Sequence, residues 1–554
     1  MQRVLLALTL VAVAALGLGA PAGARPADRP PARRVVIISV PTLTWQMVID
    51  HHPPAIARLL RSSSVASLSV RTIGPRTSLA EGYATLGAGN RATVRPDSAN
   101  AAYAPDDNIE GSTVAQAYTR RTGRPPTAAV LQLEIVDILR SSHKLHYGAE
   151  PGALGDALRD RRKTAAVIAN ADSPIAGTVE AHREAALAVM DSNGAVAGGS
   201  VEPRLTAVDP AWPFGVRADE ALVEADVDGA LADNDLVLVE AADMARLDRY
   251  RQFMTPKVQD RAERRAVGAA DRLVGHVLDQ VDLTKDIVIL LSPVGPSASE
   301  RLTTFAIAGP GFNPGSARSA ATRRSGYVTL PDVSPTVLHA LGVATPDSMA
   351  GTLISSDGHG SPSAHVLADM ARTDEIARFR DKAVGPVSVA FIVFQVLVYG
   401  FAVIAVTGHR ERLRPFVGAA ALVVLAMPPL VFLSGLLSYD RLGVVGYTVA
   451  LFPAAGILAA VAWVLGRGRL LAAPGLLIGT TLAVLLVDVV TGARLQINTA
   501  FGYSPIVAGR FAGYGNLAFA IVAMAAIVVG TIIWAGPRLQ RPGHPRIGLP
   551  LVAT

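Results

Sequence analysis

The sequence predicts an α/β domain built on a mostly parallel sheet, followed by a five-helix transmembrane region. Three observations carry this. Short β-branched apolar runs alternate with helical segments from Arg34 to about Val343. Five apolar stretches, at about 385–407, 415–437, 443–465, 469–491 and 513–535, each have roughly the 20 residues a helix needs to cross hydrocarbon. Arginine is unevenly shared among the loops between them.

The chain has 554 residues, half of them apolar, and no cysteine. The missing thiols exclude a disulfide-stapled fold, a thiolate zinc site and a cysteine nucleophile. The net charge of +6 is concentrated at one end: residues 385–554 hold 11 arginines against three acids, whereas 25–384 are nearly balanced. Basicity confined to a membrane region argues against a nucleic-acid partner.

Residues 1–24 read as a signal peptide: Arg3, an apolar run from Val4 to Leu18, then Ala22-Gly23-Ala24 as a small-residue cleavage pattern. An uncleaved signal anchor is the alternative, and both send the next residues outward. Residues 25–33 form a Pro- and Arg-rich tether. The α/β domain follows over 34–343, opening with the strand Arg34–Val40 and a helix near Ala55–Leu60. Further strands are expected near Ala66–Val70, Thr164–Ala169, Leu236–Glu240, Ile287–Leu291 and Thr303–Ile307, with a long amphipathic helix over Pro256–Val281. Apolar strands alternating with helices imply a sheet covered on both faces. Residues 344–384 are Ser-, Gly- and Asp-rich before turning helical, and read as a flexible linker and juxtamembrane segment. The five helices then occupy 385–535, with a tail at 536–554.

Eight arginines, at 410, 412, 414, 467, 469, 538, 541 and 546, fall on one side of these crossings; Arg441, Arg494 and Arg510 fall on the other. The bias places the short loops and the C-terminal tail in the cytoplasm, and residues 25–384 outside a cell membrane that the chain crosses several times.

Ligands of open α/β sheets meet loops at the C-terminal strand ends. Four such stretches are Ser39-Val40-Pro41-Thr42, Gly74 to Gly82, Glu240-Ala241-Ala242-Asp243 with Asp248 beyond it, and Ser292-Pro293-Val294-Gly295. Arg76 beside Thr77 and Ser78 is a candidate anion contact, because a helix start offers N–H groups to phosphate-like oxygens. Glu81 reads as an early-helix acid, Gly87 to Arg91 as a tight loop, and His276 as a structural residue on the long helix.

The run Gly326-Tyr327-Val328-Thr329-Leu330-Pro331-Asp332-Val333-Ser334-Pro335-Thr336-Val337-Leu338-His339-Ala340-Leu341-Gly342-Val343 resembles the Asp-x-x-Pro-Thr helix entrance near the end of alkaline phosphatase/sulfatase superfamily domains. In it Asp332 is expected to cap the helix, with Pro335 in the first turn. The resemblance covers about 34–343 and implies that superfamily's α/β fold. It implies too an acidic metal ligand after the first strand, a Ser or Thr nucleophile, an Asp-x-x-x-His pair and an Asp-His pair.

This chain departs from that pattern. Val40-Pro41-Thr42 follows the first strand, and Thr77, with Ser78 beside it, is the positional candidate for the nucleophile. Asp243 survives without its histidine, Asp248 comes one residue late, and Pro293-Val294 replace the Asp-His pair. Val and Pro side chains cannot ligate a cation, so ordinary two-metal chemistry is disfavoured and no metal residue or cofactor is assigned. A divalent metal enters only under the alternative of a noncanonical phosphoryl- or sulfuryl-ester hydrolase or transferase using Thr77 and Ser78.

The connection 492–516 mixes Arg494, Arg510, Gln496, Asn498, aromatics and glycines, suited to an interface with lipid phosphates or with the external domain. A packed re-entrant loop without ligand is the competing reading. Together these features suggest an envelope scaffold or assembly protein with a noncatalytic external domain. Arg76, Asp243, Asp248, Arg494 and Arg510 would contact an anionic or lipid-linked envelope component, and envelope-assembly membrane proteins are candidate partners. A component of an envelope transporter is the further alternative, weakened by the low internal charge of the crossings.

Overall fold

The computed structural model describes residues 31–109, 111–175, 178–466 and 471–539. The signal peptide, residues 25–30 of the tether, Arg467, Arg469 and the tail beyond Leu539 lie outside the described residues. Two compact units are divided between Asp374 and Glu375.

The N-terminal unit is organised by a ten-stranded sheet. Its strands are β1 (Val35–Ser39), β2 (Ser64–Ser69), β3 (Ala165–Ile168), β4 (Gly198–Ser200), β5 (Leu236–Glu240), β6 (Ile287–Leu291), β7 (Leu302–Ala308), β8 (Gly315–Ser319), β9 (Tyr327–Thr329) and β10 (Ile354–Ser356). They lie in the order β4-β3-β5-β1-β6-β7-β2-β9-β8-β10. Only β7 and β10 run against their neighbours, so the sheet is mixed and mostly parallel. Central β1 pairs in parallel with β5 and β6, which sets Ser39 beside Glu240 and Leu291 at the strand ends.

Alternation along the buried strands feeds two cores. Val35, Ile37, Leu236, Leu238 and Ile289 face one side; Val36, Ile38, Val237, Val239 and Leu290 face the other. The first core is closed by α3 (Leu79–Ala88) and α7 (Val333–Ala340). The second is closed by α1 (Trp45–His51), α2 (Pro54–Arg61), α4 (Glu220–Asp233), α5 (Ala242–Tyr250) and α6 (Pro256–Gln280). Burial on both faces explains why the strands read as continuous apolar runs.

Two expectations differ from this architecture. Asp332 does not cap α7; its carboxylate turns back to accept from Thr329 N at 2.9 Å and Thr352 N at 2.8 Å. A buried carboxylate takes the donors within reach, and these lie in the preceding turn and a later loop. Residues 344–384 are also more ordered than a flexible connection. Ile354–Ser356 forms edge strand β10, and α8 (Ala364–Thr407) begins well before the apolar stretch. Asp374 on α8 accepts from Leu302 N at 2.7 Å and from the Arg301 guanidinium at 2.6 Å, while Val366, Leu367 and Met370 pack on the second core.

The C-terminal unit contains the rest of α8 with α9 (Arg414–Leu433), α10 (Gly443–Gly466), α11 (Ala472–Val490) and α12 (Asn516–Leu539). These five helices are long and apolar enough to cross a membrane, as in a multi-pass membrane protein. Their shared core includes Met427, Phe432, Tyr447, Leu451, Leu477 and Leu485.

Candidate functional site

At the end of β1 the chain turns through Val40, Pro41 and Thr42, all buried. Val40 N donates to Leu291 O at 2.9 Å and Thr42 N to Val294 O at 3.2 Å, with Thr42 in the left-handed region at φ 66°. After β6, Ser292 Oγ donates to Val294 O at 2.9 Å. The two turns that would carry acidic or imidazole ligands are thus tied to each other by backbone bonds.

Thr77 and Ser78 are neighbours in sequence with separate partners. Thr77 Oγ1 donates to Val70 O at 2.9 Å and accepts from Thr72 N at 3.2 Å, buried inside the loop before α3. Ser78 is the N-cap of α3: its hydroxyl accepts from Glu81 N at 3.2 Å while Glu81 returns a bond to Ser78 N, a capping box. Arg76 is exposed.

Helix α3 approaches the sheet edge closely. A Cβ on Gly82 would stand 2.5 Å from Pro293 O, and one on Gly87 would stand 2.5 Å from Leu187 O. Glycine at both positions lets α3 touch the turn after β6 and the short turn Glu184–Ala188. It also brings Tyr83, fully buried, over the ends of β1 and β5. Tyr83 Oη donates to Glu240 Oε1 at 2.7 Å and therefore accepts from Ser39 Oγ, also at 2.7 Å.

Asp243 and Asp248 share α5 but face different partners. Asp243 accepts from Ala218 N at 2.9 Å and from Arg246 Nη1 at 2.8 Å; Asp248 accepts from Ser297 N at 2.7 Å. Burial pushes both carboxyls above their ordinary values, opposed at Asp243 chiefly by Arg246 and at Asp248 by the Ser297 bond. Among the described residues, Arg246 is the largest fully buried side chain. Beyond Asp243 it donates from Nε to Asp172 O at 3.0 Å and from Nη2 to Asn170 O at 2.5 Å, closing the loop after β3. Burial opposes the charge on Asp172, but Arg183 Nη2 at 2.9 Å, with the bonds from His182 N and Asn170, keeps its carboxyl below the ordinary value.

Glu240, which opens one of the strand-end stretches, completes this edge with three residues that the sequence did not mark, Glu184, His182 and Arg249. Glu240 is pushed up to about 7, first by burial and then by the field of Glu184. Burial also opposes the charge on Glu184, but the His182 ring, at 3.2 Å from its Oε1, brings it below the ordinary value. Arg249 donates to Ala171 O. One atom of each residue, Glu240 Oε2, Glu184 Oε2, His182 Nε2 and Arg249 Nε, is buried without a hydrogen-bond partner. A glutamate ending the apolar run Leu-Val-Leu-Val-Glu was the one local signal for this cluster.

The divalent centre implied by the resemblance does not fit these side chains. Guanidinium groups occupy Asp243 and Asp172, and a cation beside the buried Arg246 and Arg183 would meet repulsion. Among the described residues, no group of three or more His, Cys, Asp or Glu is arranged to hold a metal ion. His276 sits on α6 with Nε2 2.8 Å from Asp228 Oδ1.

The remaining candidates, Arg494 and Arg510, belong to the C-terminal unit and are exposed. Arg510 donates to Tyr514 O at 2.6 Å. The loop between them is packed and polar inside. Asp488, buried at the end of α11, accepts from Leu495 N at 2.7 Å and Gln496 Nε2 at 3.2 Å. Arg380 on α8 donates to Thr499 O at 3.1 Å and Gly502 O at 2.8 Å, and Tyr439 donates to Asn498 O.

No protein-family model matches the chain, and no curated protein matches it. Among solved structures it is similar to the lipoteichoic acid synthase LtaP of Listeria monocytogenes, at 10% identity and TM-score 0.33 over 58% of this chain and 74% of that one. An alkaline phosphatase superfamily protein of Vibrio parahaemolyticus gives 13% and 0.33 over 62% and 76%, and the 2-O GAG sulfatase BT1596 gives 11% and 0.33 over 58% and 73%. Likeness at this level carries no argument about activity or substrate. The fold stands on the sheet order and strand directions above: a mixed, mostly parallel α/β domain with five apolar helices C-terminal to it.

Proposed function

We propose that the chain is a membrane-anchored cell-envelope scaffold or assembly protein. Its α/β domain lies outside the membrane, is noncatalytic, and binds an anionic or lipid-linked envelope component. One observation carries the noncatalytic reading: the fully buried guanidinium of Arg246 takes the surviving acidic position, Asp243, together with the carbonyls of Asn170 and Asp172. An arginine in that place supplies fixed positive charge to the fold, but it cannot polarise a nucleophile as a divalent ion does. Thr77 and Ser78 are engaged in the loop and the helix cap, which supports the same reading. Exposed Arg76, Arg494 and Arg510 are the proposed anion contacts, since guanidinium groups pair bidentately with phosphate oxygens.

The full chain, purified without chelator, is expected to carry no stoichiometric divalent metal and to leave phosphate and sulfate esters intact. Two divalent ions bound by side chains of the N-terminal unit would overturn the noncatalytic reading. For the ligand, Arg494→Ala with Arg510→Ala is expected to keep the protein folded and inserted while losing co-purified anionic lipid in native mass spectrometry. Unchanged lipid on folded protein would remove these two arginines from the binding role.

A further inference from the structure

The arginine pairs account for Asp243 and Asp172, but not for the acidic cluster beside them. Hydroxyls run in one direction from Ser39 through Tyr83 to Glu240, joining the end of β1, the middle of α3 and the end of β5. Past this chain lie two glutamates, each with a buried oxygen that has no donor. Buried polar atoms are nearly always paired, and a charged one left without a partner is expensive. Two ionised carboxylates in one another's field, both sealed from water, would add repulsion to that cost.

A single proton relieves the repulsion. Placed on Glu240 Oε2, it removes one of the two negative charges and turns an unpaired acceptor into a hydroxyl. We infer that Glu240, Tyr83 and Glu184 form a buried proton-binding site that latches α3 and the Glu184–Ala188 turn to the ends of β1 and β5. With the proton bound the edge is closed; without it the cluster is strained and α3 opens more readily.

The groups facing Glu240 come from every element around it. Ser39 stands on β1, Tyr83 on α3, and Glu184 on the short turn with His182 behind it; Arg246 and Arg249 stand on α5. The arginines attract charge onto Glu240, but Arg246 is bound to Asp243 and two carbonyls, and Arg249 to Ala171 O. Their pull is outweighed by burial and by Glu184, consistent with the carboxyl being held near 7. Close packing at Gly82 and Gly87 makes the latch mechanical as well as electrostatic, because α3 cannot shift without moving the turns after β6 and around Leu187.

The test is hydrogen exchange of the full-length protein across pH, corrected for intrinsic exchange rates, read on α3 and on residues 182–190. One linked proton makes the opening equilibrium rise about tenfold per pH unit between the open-state and closed-state pKa values. For the parent protein, corrected exchange is therefore expected to rise from about pH 4.5 and to level off near 7. Glu240→Gln is expected to flatten the profile. Glu184→Gln removes a field that raises the carboxyl, so the plateau should arrive at lower pH. Tyr83→Phe removes a bond that favours the carboxylate, so it should arrive at higher pH. The two opposite shifts keep the test decisive if Glu240→Gln fails to fold. A Glu240→Gln protein with the parent profile, or Glu184→Gln and Tyr83→Phe shifting the same way or not at all, would overturn the proton site.

Discussion

Replacing Arg246 with alanine tests how far this edge depends on a guanidinium. Asp243 would lose its partner at 2.8 Å and remain buried with Ala218 N as its one retained donor among the bonds described above. The carbonyls of Asn170 and Asp172 would lose donors at 2.5 and 3.0 Å. Breaking one side of a buried ion pair costs about 3–5 kcal/mol, and each orphaned carbonyl adds up to about 1–3 kcal/mol before relaxation. Because the three bonds share one group, the sum is not additive, and a loss of about 4 kcal/mol or more is expected. Urea unfolding of the full chain, followed by fluorescence of buried Trp45, reads it out. Arg246→Met combined with Asp243→Asn removes both charges and should recover much of the loss, because an uncompensated charge is costlier than a missing pair. An alanine variant within about 1 kcal/mol of the parent would refute the reasoning, as would a double variant no more stable than the single one.

Glu240→Gln should also change the pH dependence of global stability. A carboxyl near 7 in the fold and near 4.5 when unfolded binds its proton more tightly in the fold. Its stabilising contribution is thus complete below 4.5 and lost as pH rises through 7, amounting to about 3 kcal/mol across the window. Thermal melts at pH 5 and 8 should show Glu240→Gln losing less stability over that interval than the parent; equal losses would count against the shift. Gly82→Ala is expected to destabilise by about 1–3 kcal/mol through contact with Pro293 O, read as a lowered melting temperature, whereas a neutral result would mean the turn moves freely. Glu150→Cys introduces a lone thiol at an exposed position, and labelling by an impermeant reagent in intact cells is expected if the α/β domain is outside. Labelling only after lysis would reverse the orientation.

Much of the architecture was legible because it rests on local pattern. The run Ile287–Leu291 is apolar throughout, and Val35–Ser39 and Leu236–Glu240 are apolar up to their last residue, as expected of strands buried on both faces. The long helix was readable over Pro256–Gln280, from its periodic apolar face. Residues 100–160 were harder: the strands Ala102–Tyr103, Asn108–Ile109, Ser112–Thr113 and Val130–Gln132 are only two or three residues long, too short for a period to emerge. Strand β10 was hidden because Ile354 is its one buried residue and its partner, Gly315–Ser319, lies far back in sequence.

The site divided in the same way. Asp243 and Asp248 stood out by motif spacing, but Arg246, between them, matters through carbonyls more than 70 residues away in sequence. Tyr83 meets Glu240 across 157 residues and looks from sequence alone like any aromatic on a helix. Glu184 opens a short turn, two residues after His182, whose relation to β5 exists only once the sheet has formed.

The Arg380 contacts have a consequence for how the loop in the C-terminal unit tolerates variation. Both of its donors to the loop end on main-chain oxygens, those of Thr499 and Gly502, so this grip does not read the side chains it passes beneath. The loop can therefore accumulate substitutions at exposed positions other than the proposed anion contacts, such as Val507 and Gly509, while its backbone path stays the same. Position 380 has no such freedom. A lysine presents a single ammonium where a planar fork bridges two carbonyls, so related chains are expected to vary the loop's outer chemistry around an unvarying arginine.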